Sequence, residues 1–201
     1  MGCYAAVTAL RSARHIVRSD PAARVLVVTV ELSTLHLAND DRIEPLLAML
    51  QFGDGAAAAL VSATREGFAI DAPFATTLPD SQGWIRWTVG DQGFAMHLSG
   101  EVPGRIAEAL ADPALVATIM GDAPADSWAV HAGGRSILDA VEHGLGLGQG
   151  ALADSRGVLS DAGNMSSATL MFVLARQMGR AVSNGVALAF GPGLAAEGFR
   201  Y

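Results

Sequence analysis

The chain has a single cysteine, Cys3, so no internal disulfide can form, and its thiol is either a small core residue or a nucleophile. Charge is sparse, at 16% of residues, and the net charge of −7 disfavours phosphate-rich polymers such as nucleic acid. A small anionic substrate remains admissible, because a local site can oppose the global sign. No apolar run reaches the roughly 18 residues of a membrane span. The opening Met-Gly-Cys-Tyr-Ala-Ala has neither the basic and apolar regions of a secretory signal nor the Ser or Thr of a myristoylation site. A cytoplasmic location is the resulting expectation. No Gly-x-Gly-x-x-Gly follows a strand, no Gly-Lys-Ser/Thr phosphate loop is present, and no Cys/His cluster has zinc spacing.

What is present is apolar. Hydrophobic residues make up 51% of 201 positions, enough for one sizeable core with strands buried on both faces. Helical spacing over 4–18 (Val7, Leu10, Ala13, Val17) ends at Ser19-Asp20-Pro21. Residues 24–31 form an almost unbroken β-branched run, the pattern of a central parallel strand covered by helices on both sides. A short helix is expected over 41–50, a turn at Phe52-Gly-Asp-Gly55 and a small-residue strand over 56–62. Residues 63–83 read as irregular. Two strands, 84–89 and 93–98, flank a turn at Gly90-Asp91. Residues 102–120 are helical with Pro113 interrupting. A short strand over 128–131 precedes a helix over 135–145 with Ile137, Leu138, Val141 and Leu145 on one face. Helices over 149–160 and 166–178, a strand over 185–190 and a final strand complete an α/β order, with a layered sheet and right-handed crossovers.

Cys3 falls at the first turn of the first helix, where unpaired backbone N–H groups and the helix dipole favour a thiolate. The structural alternative is a small residue packed under the sheet. His131 ends a strand and precedes Gly133 and Gly134, the place where open α/β sheets put ligands and where glycine admits a close approach. The alternative is a satisfied core histidine. His15 and His143 read as solvated or capping residues, and His97 as a strand residue with a place in the core. Asn164 precedes a helix: it serves as an N-cap, as Ser166 or Ser167 would, or it donates its amide to an oxyanion. Asp20, Asp40 and Asp41 read as turn or surface carboxylates.

Seven segments in this order resemble the type III polyketide synthases, the chalcone synthase-like branch of the thiolase superfamily. They are Gly2-Cys3-Tyr-Ala-Ala, Val25-Leu-Val-Val-x-x-Glu31, Phe52-Gly-Asp-Gly-Ala-Ala-Ala58 and Val130-His131-x-Gly-Gly-x-x-Ile137-Leu-Asp-Ala-Val-Glu142. Ser155-Arg156-x-Val-Leu, Gly163-Asn-Met-Ser-Ser-Ala-Thr169 and Phe190-Gly-Pro-Gly-Leu194 follow. The resemblance implies a thiolase-like layered αβαβα fold, with 1–83 as the remainder of an N-terminal half and 84–201 as the C-terminal half. It implies a Cys3–His131–Asn164 triad that extends a Cys3-bound acyl group by decarboxylative Claisen condensation. The substrates would be an acyl-CoA starter and malonyl-CoA, without metal or organic cofactor, in a homodimer.

The resemblance also assigns substrate-lining positions. Phe52 matches an aromatic at the site mouth, and His36 and Met96 fall near cavity-shaping positions. Met96 stands where an aromatic often does. Gly133 and Gly134 flank a pantetheine arm, Ser166 lies beside the asparagine, and Gly191, Pro192 and Gly193 form a loop near the nucleophile. Ala132 replaces a common proline. The family's N-terminal segment, with its first strands and its CoA-binding basic residues, has no counterpart here, so exposed sheet and helix faces are expected. A ketoacyl-carrier-protein synthase III-like enzyme, and a silent fragment or subunit, stand as alternatives.

Overall fold

The computed structural model describes residues 2–37, 42–91 and 93–201. Asp40 and Asp41 lie outside these residues, as does the first position of the expected 41–50 helix.

A turn at Gly2–Tyr4 leads into α1 (Ala5–Ser19), which buries Ala6, Val7, Leu10, Ala13 and Val17 along one face. β1 (Val25–Glu31) follows, then α2 (Ile43–Leu50) and β2 (Gly55–Val61). β1 and β2 pair antiparallel as a sheet of their own, with Val27 opposite Ala59 and Thr29 opposite Ala57. This overturns the expected central parallel strand. Val27 and Thr29 face the helices, but the alternate residues Leu26, Val28 and Val30 are 64%, 56% and 58% exposed. A continuous β-branched run is the same in a strand covered on both faces and in one covered on a single face, so periodicity could not separate the two.

The second sheet has the order β3-β8-β7-β6, from β3 (Asp71–Thr77), β6 (Ser127–Val130), β7 (Gly185–Gly191) and β8 (Ala195–Arg200). Only β6 and β7 are parallel. β3 lies inside the stretch read as irregular. It carries Pro73 and a register irregularity between Asp71 and Phe74, both tolerated because it is an edge strand. It also lies within 1–83, yet it pairs with β8.

The central strands separate side chains by size. Trp128, Val130, Val186, Leu188 and Phe190 enter one core cluster with Ile106, Leu110, Leu138 and Val141. These come from α3 (Val102–Ala109), its C-cap Leu110 and α5 (Arg135–Gly144). Ala129, Ala187 and Ala189 face the other way, onto α1 and α7 (Ser167–Gln177). Period-two alternation thus presents a large-residue face to one helix layer and a methyl face to the other. The methyl face lets α1 and α7 lie close to the sheet, sandwiched between it and β1–β2. Among the described residues the layers run sheet, helices, sheet, helices, which is the thiolase-like arrangement with one outer face of β1–β2 bare.

The remaining elements follow the sequence reading closely. β4 (Ile85–Gly90) and β5 (Gly93–Leu98) form an antiparallel hairpin. Pro113 opens α4 (Pro113–Met120) at its first position, with Asp112 accepting a bond from the Ala114 amide as N-cap. α6 (Ala153–Ala162) completes the set. Among the described residues no helix is long and apolar enough to cross a membrane.

Candidate active site

Cys3 lies in a single 3-10 turn, Gly2–Tyr4, that runs directly into α1. The end of β7 stands directly behind it. A Cβ placed on Gly191 would lie 2.7 Å from a ring carbon of Tyr4 and 3.5 Å from the Cys3 Cβ, so only glycine fits there. Ser166 Oγ donates to Cys3 Sγ at 3.9 Å. Burial pushes the thiol up to about 11; the Ser166 bond opposes this and the nearby Glu31 carboxylate reinforces it. Burial thus works against the thiolate that a position at the helix start favours.

His131 follows the last residue of β6, at the strand's C-terminal edge. Its backbone N–H donates to Leu188 O at 2.8 Å, which locks it to β7. The residue is 2% exposed, and among the described residues neither ring nitrogen has a hydrogen-bond partner. Burial lowers the imidazole to about 4, so at neutral pH the ring is uncharged. A buried polar group left without a partner costs about 1–3 kcal/mol. The satisfied core histidine weighed from sequence therefore does not describe this ring. A neutral imidazole has one N–H to donate and one nitrogen to accept a proton.

Asn164 is 3% exposed and fully engaged on one side. Its Nδ2 donates to Gly133 O at 3.1 Å, and its Oδ1 accepts from the Ser166 N–H at 2.9 Å. It is not the N-cap of α7; Ser166 occupies that position, with no side-chain capping bond. Two backbone bonds splice Asn164 to the Phe52 turn: Asn164 N to Gln51 O at 3.0 Å, and Gly53 N to Asn164 O at 3.0 Å. The glycines of that turn make the splice possible. A Cβ on Gly53 would lie 2.4 Å from Ala162 O, and one on Gly55 would lie 2.4 Å from the Met165 sulfur.

Cys3, His131 and Asn164 line one cavity of about 1070 Å³, with Phe52, Met96, Gly133 and Phe190. Cys3, Phe52 and Met96 also line a second cavity of about 630 Å³, with His36, Ser166 and Pro192. Three residues separated by 33 to 161 positions in the chain thus converge, and the thiol stands on the wall common to both chambers. Gly134, Gly191 and Gly193 are not among the described residues lining either chamber. Gly134 precedes α5, and a Cβ there would stand 3.3 Å from Gln51 Oε1. His97 was placed in the core from sequence, but it is exposed and lines the larger chamber, because β5 has solvent on one side. His15 and His143 are exposed, as expected.

Two contributors escaped the residue-by-residue reading. Glu31 lines the smaller chamber, and its carboxylate accepts from the Ser167 N–H at 3.2 Å and from the Ser167 hydroxyl, tying β1 to the start of α7. A lone acid closing an apolar strand was the available signal. Trp87 lines the same chamber, with its ring 6.4 Å from that of Phe52; no sequence signal separated it from a strand aromatic.

Comparison with known families matches residues 1–65 to the N-terminal domain of chalcone and stilbene synthases and residues 70–200 to the C-terminal domain. Among solved structures, polyketide synthase PKS-I from the brown alga Ectocarpus siliculosus is 32% identical with a TM-score of 0.89. 1,3,6,8-Tetrahydroxynaphthalene synthase from Streptomyces coelicolor A3(2) is 31% identical with a TM-score of 0.90. The C-terminal type III polyketide synthase domain of Steely1 from Dictyostelium is 29% identical with a TM-score of 0.89. Each match covers 100% of this chain and 58%, 60% and 59% of the respective relative.

Proposed function

The chain belongs to the chalcone and stilbene synthase family, and from that premise we propose that it extends acyl groups by decarboxylative condensation of CoA thioesters, as a cytoplasmic acyltransferase of polyketide synthesis. The observation that carries this reading is the unpartnered, buried His131 ring in the chamber lined by Cys3 and Asn164.

The chemistry follows from the groups present. Cys3 Sγ attacks the carbonyl carbon of an acyl-CoA while the neutral His131 takes the thiol proton. The carbon–sulfur bond to CoA breaks, and the leaving thiolate takes that proton back from His131. The acyl group is now on Cys3. Malonyl-CoA enters with its thioester oxygen toward the His131 N–H and the Asn164 amide. Its carboxylate leaves as CO₂, and the electron pair of the broken carbon–carbon bond moves onto that oxygen as an enolate. A neutral imidazole and an amide are preorganised donors for this charge in a site without bulk water. The enolate carbon then attacks the acyl carbonyl, the Cys3 thiolate departs, and a β-ketoacyl-CoA two carbons longer remains. The smaller chamber, opening from the same sulfur, offers room for the lengthening chain.

A second reading is that the chain acts only with another polypeptide, either a second copy or a complementary subunit. It is favoured by the bare apolar face of β1–β2, where Leu26, Val28 and Val30 are exposed. The test of both is mass spectrometry of the purified chain after incubation with a panel of acyl-CoA starters, together with release of labelled CO₂ from malonyl-CoA. The condensing reading expects an acyl adduct on Cys3 and a loss of product of at least about 1000-fold in Cys3→Ala. No adduct with any starter favours the second reading.

A further inference from the structure

The two chambers differ in charge as well as in shape. We propose that Arg86 and His97, facing each other on the β4–β5 hairpin, hold the phosphate groups of the CoA thioester while its acyl end reaches Cys3. This rests on the condensing function above and assigns the carrier end of the same substrate.

The chain carries 20 acidic residues against 13 basic ones, yet its larger chamber has the opposite balance. Among the described residues lining it are Arg42, Arg86 and His97, and none is Asp or Glu. The smaller chamber has no such bias: Glu31 and Asp91 line it beside Arg42 and His36. A basic lining within an acidic chain raises the local concentration of anions in that chamber and not in the other.

Position within the chamber fits a phosphate end. His131 and Asn164 are buried, whereas Arg86 and His97 are exposed, so the chamber runs from the thiol to solvent past the hairpin. A thioester whose carbonyl lies at the buried end carries its phosphates toward the open end. Arg86 and His97 are direct cross-strand partners in the register, and such side chains stand about 5 Å apart at Cβ. Their donors therefore converge. Arg105, Arg156, Arg176 and Arg180 are each held by a carboxylate. No carboxylate holds Arg86 among the described residues. A planar fork left uncommitted at a cavity mouth is suited to a phosphate.

The test is calorimetric binding of CoA, 4′-phosphopantetheine and pantetheine to the full chain and its variants, with circular dichroism to verify the fold. Arg86→Gln is expected to weaken CoA binding about tenfold and leave pantetheine binding unchanged. Arg86→Lys, which keeps the charge, should recover part of the loss. His97→Gln should cost about threefold, and added salt should weaken CoA binding to the native chain more than to Arg86→Gln. An equal loss for 4′-phosphopantetheine supports a hold on the phosphate next to the pantetheine arm, which a carrier protein would also present; a loss confined to CoA supports a hold on the nucleotide-side phosphates. Unchanged CoA affinity in Arg86→Gln, an equal loss for pantetheine, or no CoA binding at all overturns the proposal. The readout needs no turnover. If Cys3 is never acylated but CoA binding depends on Arg86, the condensing function fails and this site stands. If Arg86→Gln turns over malonyl-CoA with an unchanged KM, this site fails and the condensing function stands.

Discussion

The two chambers that meet at Cys3 are built from different kinds of structure. The larger has two buried polar groups at the ends of elements in the packed core, His131 after β6 and Asn164 before α7. The β4–β5 hairpin walls both chambers, and to it the smaller adds Trp87, 41% exposed, and the segment around His36. In the proposed reaction the buried groups meet the developing charge, and the more exposed wall surrounds the space offered to the lengthening chain. Rigid support is what fixed donors need, since a misplacement of about 1 Å can cost 100-fold in rate.

Substitutions that act on one chamber alone test this contrast. The largest effect is expected from His131→Gln, which should slow malonyl-CoA decarboxylation about 100- to 1000-fold and acyl loading of Cys3 less. Equal losses in both steps would mean that the histidine serves the thiol and not the enolate. Burial also makes the ring sensitive to acid. Its pKa is depressed to about 4, so the folded chain binds fewer protons than the unfolded chain between about pH 6.5 and 4. Stability is therefore present above the unfolded value and is lost as pH falls, by roughly 3 kcal/mol in total at about 1.4 kcal/mol per unit. Denaturant titrations across that range should show the loss in the native chain and much less of it in His131→Gln.

The thiol gives the next effect. With its pKa at about 11, Cys3 holds about 100-fold less thiolate at neutral pH than an ordinary cysteine. The greater nucleophilicity of a basic thiolate recovers part of this, leaving alkylation by iodoacetamide roughly tenfold slower. Fast alkylation that is flat between pH 6 and 9, and lost in His131→Ala, would show instead that proton transfer to His131 reverses both shifts. The smallest effect is expected from Trp87→Ala. It enlarges the smaller chamber and should change the length of the products, while malonyl-CoA decarboxylation changes less than about threefold. A large fall in decarboxylation would erase the distinction between the chambers.

Much of the frame was legible in the chain. The helices around Leu10, Leu138 and Leu170 and the buried strand at 185–191 follow from apolar periodicity, and Pro113 marked its helix start. β3 was not legible, because Pro73 reads as a loop signal unless the strand is known to be an edge. The pairing of β1 with β2 was hidden because burial on one face leaves the same residue types as burial on two. At the site, Cys3, His131 and Asn164 were named from short motifs. Their charge states were not readable, since desolvation depends on what surrounds a side chain in space and not on its neighbours in sequence. Glu31, Trp87 and Arg86 were passed over for the same reason: each looks ordinary until a cavity stands beside it.

The Phe52 turn and Asn164 are joined by a reciprocal pair of main-chain bonds. The wall that Phe52 gives to both chambers and the Asn164 amide therefore share one piece of backbone. Reshaping that wall for a bulkier substrate would drag the amide with it, so cavity shape and amide placement cannot be inherited separately through this loop. Variation that tunes what enters without disturbing how it reacts must instead come from the far wall, on the hairpin that no such bond ties to Asn164 among the described residues.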